Sequence, residues 1–292
     1  MRLRDTTSLG LNGSLLLAAV FLGLNFVAIK IAVVSIPPLL VGALRFTLGG
    51  LLLLAVLPFV EHHTKPTRKL LLTTLGIGLL GGALFNAALN EGMRLTSASN
   101  SALIMATAPV WGMLLAAGFG VEQLKATNII GAGISLAGVG LLLGGGFEGS
   151  RASLVGDTLV LTASVSFGAY SVLSRAQQRH YPPLTIAAYS TFLGGLSLFL
   201  LTPAELARWD WGTVSTGAWV AVAYLAIFST AIAYGIWQWG ISRIGADRVL
   251  VYLYLVTLVG VVSSVIVLGE GFGLSKLVGA VVLLVGVYFA RR

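Results

Sequence analysis

The sequence predicts an all-α membrane protein whose ten transmembrane helices form two inverted five-helix repeats. Three observations carry this. Of 292 residues, 57% are hydrophobic and only 10% charged, where a soluble domain carries roughly 25% charged residues. A water-facing surface cannot be covered that sparsely, so lipid must be the main solvent. The apolar residues also gather into stretches near the roughly 20 residues that cross a hydrocarbon core. Finally, glycines and prolines recur at a fixed spacing between the two halves of the chain.

The elements follow in order. Arg2 and Arg4 precede an apolar run that begins like a signal peptide but continues to Val33, too long for a cleaved apolar region. It reads as an uncleaved first span, Leu11 to Val33. Pro38 to Val60 and Leu70 to Asn90 follow, then Ser97 to Gly118 and Thr127 to Leu143. Gly144, Gly145 and Gly146 make a flexible link, dividing the chain into repeats 1–147 and 148–292. The second repeat holds Ser153 to Ser174, Pro183 to Thr202, Thr213 to Trp237, Ala246 to Leu268 and Lys276 to Ala290. Connections are short, so successive helices are antiparallel neighbours. The 37 glycines allow helices to approach closely.

Gly23, Pro37, Pro38, Gly49, Gly50 and Pro58 are matched 145 positions later by Gly168, Pro182, Pro183, Gly194, Gly195 and Pro203. Further on the offset is 148, pairing Gly92 with Gly240, Ala98 with Ala246, Gly112 with Gly260 and Glu122 with Glu270. Gly131 with Gly279 and Gly138 with Gly286 continue that register. Five spans is an odd number, so copies in series must have opposite orientation in the bilayer. The loop charges agree. Twelve Lys and Arg fall on the side holding both termini and four on the other, with Lys30 and Arg45 inside spans. The positive-inside rule makes the first side cytoplasmic.

Ionisable groups inside hydrocarbon are costly, so each is a functional hypothesis. Arg45 is the one charge well inside a span, about 10 Å along its helix at the usual helical rise. It could hold a substrate carboxylate or phosphate, serve structure or gating, or snorkel to the headgroups. Its repeat mate is Ser190, so any role is asymmetric. Lys30, nearer a helix end, reads as snorkelling. No Asp or Glu is expected deep in a span; Glu91 comes closest and is placed to pair with Arg94.

Polar pairs give a second clue. Asn86 and Asn90 share one helix face, as do their mates Tyr234 and Gln238. Repeat symmetry would turn both faces towards a central cavity, although interhelical hydrogen bonding also uses such residues. Asn25 and its mate Tyr170 read the same way, as do Tyr252 and Tyr254 with nearby Trp237. Hinges are expected at Gly23, Pro109, Gly168 and Gly260, where a helix bends at least cost.

Several classes find no support. The net charge of +8 lies in short loops and sets orientation, so nucleic acid is not an expected partner. With no cysteine there is neither thiolate metal site nor cysteine nucleophile. His62, His63 and His180 lie in loops without acids at ligand spacing, so no metal is expected. No phosphate-binding or dinucleotide motif appears, so neither cofactor nor enzymatic activity is expected.

Each half ends in a glutamate followed by a spaced-glycine helix: Gly269, Glu270, Leu274, Gly279 and Gly286 in the second, Glu122, Gly131 and Gly138 in the first. With Ala43, Leu44, Arg45 and Phe46 on the second helix and Pro109 on the fourth, the chain resembles the drug/metabolite transporter superfamily and its EamA-type members. It departs from that pattern at Leu22 and Thr257. The resemblance implies export of amino acids, other metabolites or drugs across a bacterial inner membrane. The expectation is alternating access at a site between the repeats, for a small-molecule substrate such as a neutral or aromatic amino acid. Other drugs or metabolites are the alternative; a phosphate-bearing solute would need more cavity cations than Arg45. Two repeats complete one transport unit, so a monomer is expected, with a homodimer through the fifth or tenth helix as the alternative.

Overall fold

Helices make up every regular element among the described residues of the computed structural model, which are 2–61, 66–120, 123–145, 151–244, 249 and 252–290. They are α1 (Arg2–Ala32), α2 (Pro38–Val60), α3 (Arg68–Leu95), α4 (Ala98–Gly118) and α5 (Ala126–Gly145), then α6 (Arg151–Gln177), α7 (Pro183–Leu201), α8 (Thr216–Gly240, with helical turns to Ile244), α9 (Tyr252–Leu268) and α10 (Leu274–Ala290). A short helix, Pro203–Arg208, lies between α7 and α8. Seven of these helices are long and apolar enough to cross a membrane; α5, α9 and α10 offer shorter apolar stretches. His62, His63, Glu122, Gly146 and Ala246 lie outside the described residues.

Helix starts follow from local chemistry. Pro38 and Pro183 stand at the first positions of α2 and α7, where a missing N–H costs nothing. Thr67, Ser97 and Ser215 cap α3, α4 and α8, each accepting a backbone N–H on its hydroxyl. Two further caps come from elsewhere in the chain. Glu61, just past α2, accepts the N–H groups of Leu184 and Thr185 at the start of α7, both at 2.9 Å. Glu270 does the same for α4, accepting from Ala98 at 2.6 Å and Ser99 at 2.9 Å. Gly269, with φ of +66° and open space around it, makes the left-handed turn that brings Glu270 there.

Close approaches explain the glycines. A Cβ on Gly50 would meet Phe192 of α7, and one on Gly195 would meet Thr47 of α2. Glycines 131, 138, 279 and 286 likewise let α5 and α10 pack backbone to backbone. The other main pairings are α1 with α8 and α9, α3 with α6 and α7, and α4 with α6 and α9. Large apolar side chains stay exposed around the outside, among them Leu72, Ile129, Val220, Leu258 and Val281. A water-soluble fold would bury them, whereas a multi-pass membrane protein turns them to lipid.

Three helices depart from regularity. Pro109 denies the Met105 carbonyl its bond, and α4 breaks into Ala98–Met105 and Ala108–Gly118. In α3 and α8 the ladder widens to π-helix, over Leu79–Leu84 and Leu225–Ile232. Such bulges gather at functional sites.

Candidate functional site

In the π-turn of α3 the Phe85 N–H reaches both Leu80 O and Gly82 O, and side chains add a second donor to each. Ser166 of α6 donates its hydroxyl to Leu80 O at 2.7 Å, and Asn86 donates its amide to Gly82 O at 2.7 Å. Gly81 and Gly82 thereby form one wall of an internal cleft. Phe46 of α2, Tyr170 of α6, Ser190 and Thr191 of α7 and Tyr234 of α8 complete it. Its empty volume is about 160 Å³, spread so thinly that a water-sized sphere finds no room. Its aromatic walls run on through Phe85 and Phe167, with ring centroids from Tyr234 through Phe46, Phe85 and Phe167 to Tyr170 spaced 5.4 to 6.4 Å apart.

Arg45 lies beside Phe46 at this wall, 2% exposed. Its guanidinium carbon sits 5.0 Å from the Phe46 ring centroid, a cation–π contact. Its Nε and Nη1 are buried without a hydrogen-bond partner in the protein. Snorkelling is thereby excluded, because the side chain turns inward. An arginine keeps its charge in protein, and an uncompensated buried ion costs several kcal/mol. A ligand oxyanion is the partner this geometry lacks.

The remaining expected residues divide between the cleft wall and other places. Asn86 and Asn90 both face α2, where a Cβ on Gly42 would touch them. Asn90 donates to Pro38 O at 3.0 Å, and both amide oxygens are buried without partners. Asn25 accepts from Ser229, in the π-turn of α8, at 2.9 Å. Gln238 holds a buried, unpartnered Oε1. Trp237 and Tyr252 belong to a separate cluster with Leu11, Leu15 and Val249, and Tyr252 donates to Asn12 on the surface at 3.1 Å. Tyr234 and Tyr170 line the cleft; Trp237 and Tyr252 do not.

Of the hinge positions, Pro109 marks the break in α4. The three glycines are crossing points: Gly23 lies against Val259, Gly168 against Gly112, and Gly260 against Ala102 and Phe26. The helical irregularities lie at the break in α4 and the two π-turns.

Three sequence expectations concern the opposite end of the bundle. Lys30 does not snorkel; its ammonium donates to Met93 O at 2.6 Å and Thr96 O at 2.5 Å, at the α3 C-terminus. Carbonyls at a helix end attract a cation. Glu91 does pair with Arg94, at 3.1 Å. The expectation that no acid lies inside a span is wrong, for Asp157 of α6 is 3% exposed. It accepts from the Thr96 hydroxyl at 2.5 Å and lies 3.4 Å from Asn100 Nδ2. The signal in the sequence is its place early in the sixth apolar stretch.

Comparison with known proteins follows the same lines. The profile of the EamA-like transporter family matches residues 12–144 and again 154–292. The chain is 29% identical over 276 residues to the uncharacterized transporter YyaM of Bacillus subtilis, covering 93% of this chain and 90% of that one. It is 29% identical over 284 residues to a "probable amino-acid metabolite efflux pump" of Salmonella typhimurium, covering 94% and 92%. A "probable terminal-alkyne amino-acid exporter" of Streptantibioticus cattleyicolor is 28% identical over 215 residues, covering 74% and 71%. One solved structure, 20% identical, superposes with a TM-score of 0.66 over 96% of this chain and 97% of that one, a likeness of fold.

Proposed function

The chain belongs to the EamA-like transporter family, and from that premise we propose that it exports amino acids with neutral or aromatic side chains across a bacterial inner membrane by alternating access. One observation carries the substrate class: Arg45, buried beside an aromatic cleft with two donor nitrogens unpartnered. A carboxylate accepts two parallel N–H bonds from a guanidinium, which fixes orientation as well as charge. The rings of Phe46, Tyr170 and Tyr234 then suit an apolar or aromatic side chain. Ser190 and Thr191 of the cleft wall offer hydroxyl oxygens to an ammonium group. The two relatives named for amino-acid export favour the same reading.

Alternating access is supported by the placement of the irregular turns. The π-turns Leu79–Leu84 and Leu225–Ile232 fall at equivalent positions of the two proposed repeats, offset 148, and both lie next to the cleft or its supporting polar pairs. Pairings such as α2 with α7 and α5 with α10 are those an exchange of repeats leaves unchanged. Ten spans with both termini in the cytoplasm accord with the loop charges. In this reading the cleft is that of an occluded state, and rocking of one repeat against the other opens it to each side in turn.

The test is counterflow in proteoliposomes with a labelled neutral or aromatic amino acid outside and a panel of unlabelled solutes inside. Accumulation driven by internal amino acids, and lost in Arg45→Gln, is the expected result. Exchange with none of the amino acids, by protein shown to be folded, would remove the substrate class.

A further inference from the structure

The end of the bundle where α1 finishes and α4 begins, the outer end by the loop charges, is held by one connected set of polar groups. Its centre is the two-residue turn, Thr96 and Ser97, between α3 and α4. Lys30 of α1 binds the Met93 and Thr96 carbonyls, and Glu270, beyond α9, binds the Ala98 and Ser99 amides. Asp157 of α6 takes the Thr96 hydroxyl, with Ser153 of α6 also 3.5 Å from that hydroxyl. Three separate elements therefore meet around one short turn, and the cleft cannot open at this end while they do.

Within that set one acceptor is unsatisfied. Asn100 presents its Nδ2 to Asp157 at 3.4 and 3.5 Å, long for a bond to a carboxylate, while its Oδ1 is buried with no partner. The two amide atoms of an asparagine are assigned from hydrogen bonding. Turned over, Asn100 would place an oxygen against an Asp157 oxygen, which is favourable only when a proton lies between them. A carboxylic acid at Asp157 then accepts from Thr96 on one oxygen and donates to Asn100 from the other. Burial also favours the neutral acid, since an ion loses far more hydration than an acid does.

We propose that Asp157 is a proton-binding site and that the outer end closes over its protonated form. The step is a simple protonation, the carboxylate taking one proton from the outer solution while that end is open. With the end open, water hydrates the carboxylate; with it closed, Asn100 and Thr96 complete the acid. Closure therefore takes up a proton, and acid outside favours the closed state, by linkage. The neighbouring charges act in both directions. Lys276 of α10 attracts the anion, and Lys30, on the same turn, is engaged with carbonyls. Glu270 repels the anion, though both its oxygens are held by α4 amides. This inference rests on the alternating-access reading above, but it is independent of the identity of the substrate.

Because the chain has no cysteine, single cysteines report opening without background. Ser190→Cys in the cleft is labelled from the outside by a membrane-impermeant maleimide. Its rate is divided by that of Gly212→Cys, an exposed reference, to cancel the pH dependence of the thiol. On acidifying the outer solution from about pH 7.5 to about pH 5.5, the ratio should fall several-fold. Asp157→Asn, a permanently neutral amide, should hold the ratio low at both values, and Asp157→Glu should restore the response. A ratio that rises in acid or ignores pH, or a response that survives Asp157→Asn, would overturn the proposal. Should Asp157→Asn fail to fold, Asn100→Ala provides the decision. Without the acceptor, closure should need stronger acid; an unshifted response would dismiss the site. Counterflow with any transported solute plays no part in this readout, so loss of the amino-acid assignment and loss of the proton site are separable.

Discussion

Two cations of the first half of the chain, Lys30 half-buried and Arg45 buried, are treated in opposite ways. Lys30, at the end of α1, spends its ammonium on two carbonyls of the α3 C-terminus. Arg45, in the middle of α2, has two nitrogens with nothing to bind and only an aromatic ring for company. The first arrangement stabilises a helix junction. The second costs stability and recovers it only when something else enters. Satisfied charges hold this fold together, while the unsatisfied one contributes no such bond.

The largest effect should therefore come from separating stability from transport at Arg45. Arg45→Met keeps most of the side-chain volume and removes an uncompensated buried charge. Replacing buried ions with apolar groups is neutral or stabilising by about 1–4 kcal/mol in comparable cases. The thermal midpoint in detergent should hold or rise, while amino-acid counterflow disappears. A variant that loses both would place Arg45 among the structural charges and dissolve the contrast with Lys30.

Lys30→Met should show the reverse pattern. It strips partners from the Met93 and Thr96 carbonyls, and a buried acceptor left unsatisfied costs about 1–3 kcal/mol. The midpoint should fall by several degrees. Counterflow per folded molecule should persist, because Lys30 does not line the cleft. Transport lost at unchanged stability would move Lys30 from the junction to the site.

The same contrast explains what could be read from the sequence. Arg45 was legible because a charge in an apolar stretch stands out against its background, and the repeat offset led to Tyr170 and Tyr234. The helices and their capping prolines were legible because period and punctuation are local properties. Glu61 and Glu270 as caps were not, since each serves a helix more than a hundred residues away in sequence and only packing brings them together. The π-turns were hidden for a related reason: whether Gly82 can spare its carbonyl depends on Asn86 and on how α6 lies against it. Asp157 was visible but passed over, because an acid near a span end reads as a loop residue until its neighbours prove to be Thr96 and Asn100. Aromatic residues misled in the other direction. Tyr234 and Tyr252 look alike in sequence, yet one lines the cleft and the other sits in a peripheral cluster.

That last pair gives the smallest expected effect and the finest test of the cleft's boundary. Tyr252→Phe removes one hydroxyl, which donates to Asn12 on an exposed surface. Water replaces that bond readily, so stability should change by less than about 0.5 kcal/mol. Tyr234→Phe removes a hydroxyl from the cleft wall, where a bound solute would be its partner. Its effect should appear as a weaker apparent affinity in counterflow at unchanged thermal midpoint. If Tyr252→Phe weakened affinity as much as Tyr234→Phe, the binding region would have to extend along α8 past Trp237 to the α1 end. The substrate would then be larger than one amino acid, because the cleft alone does not span that distance. If only Tyr234→Phe responds, the wall formed by Phe46, Tyr170 and Tyr234 bounds the site, and Arg45 at its edge sets which end of the solute enters first.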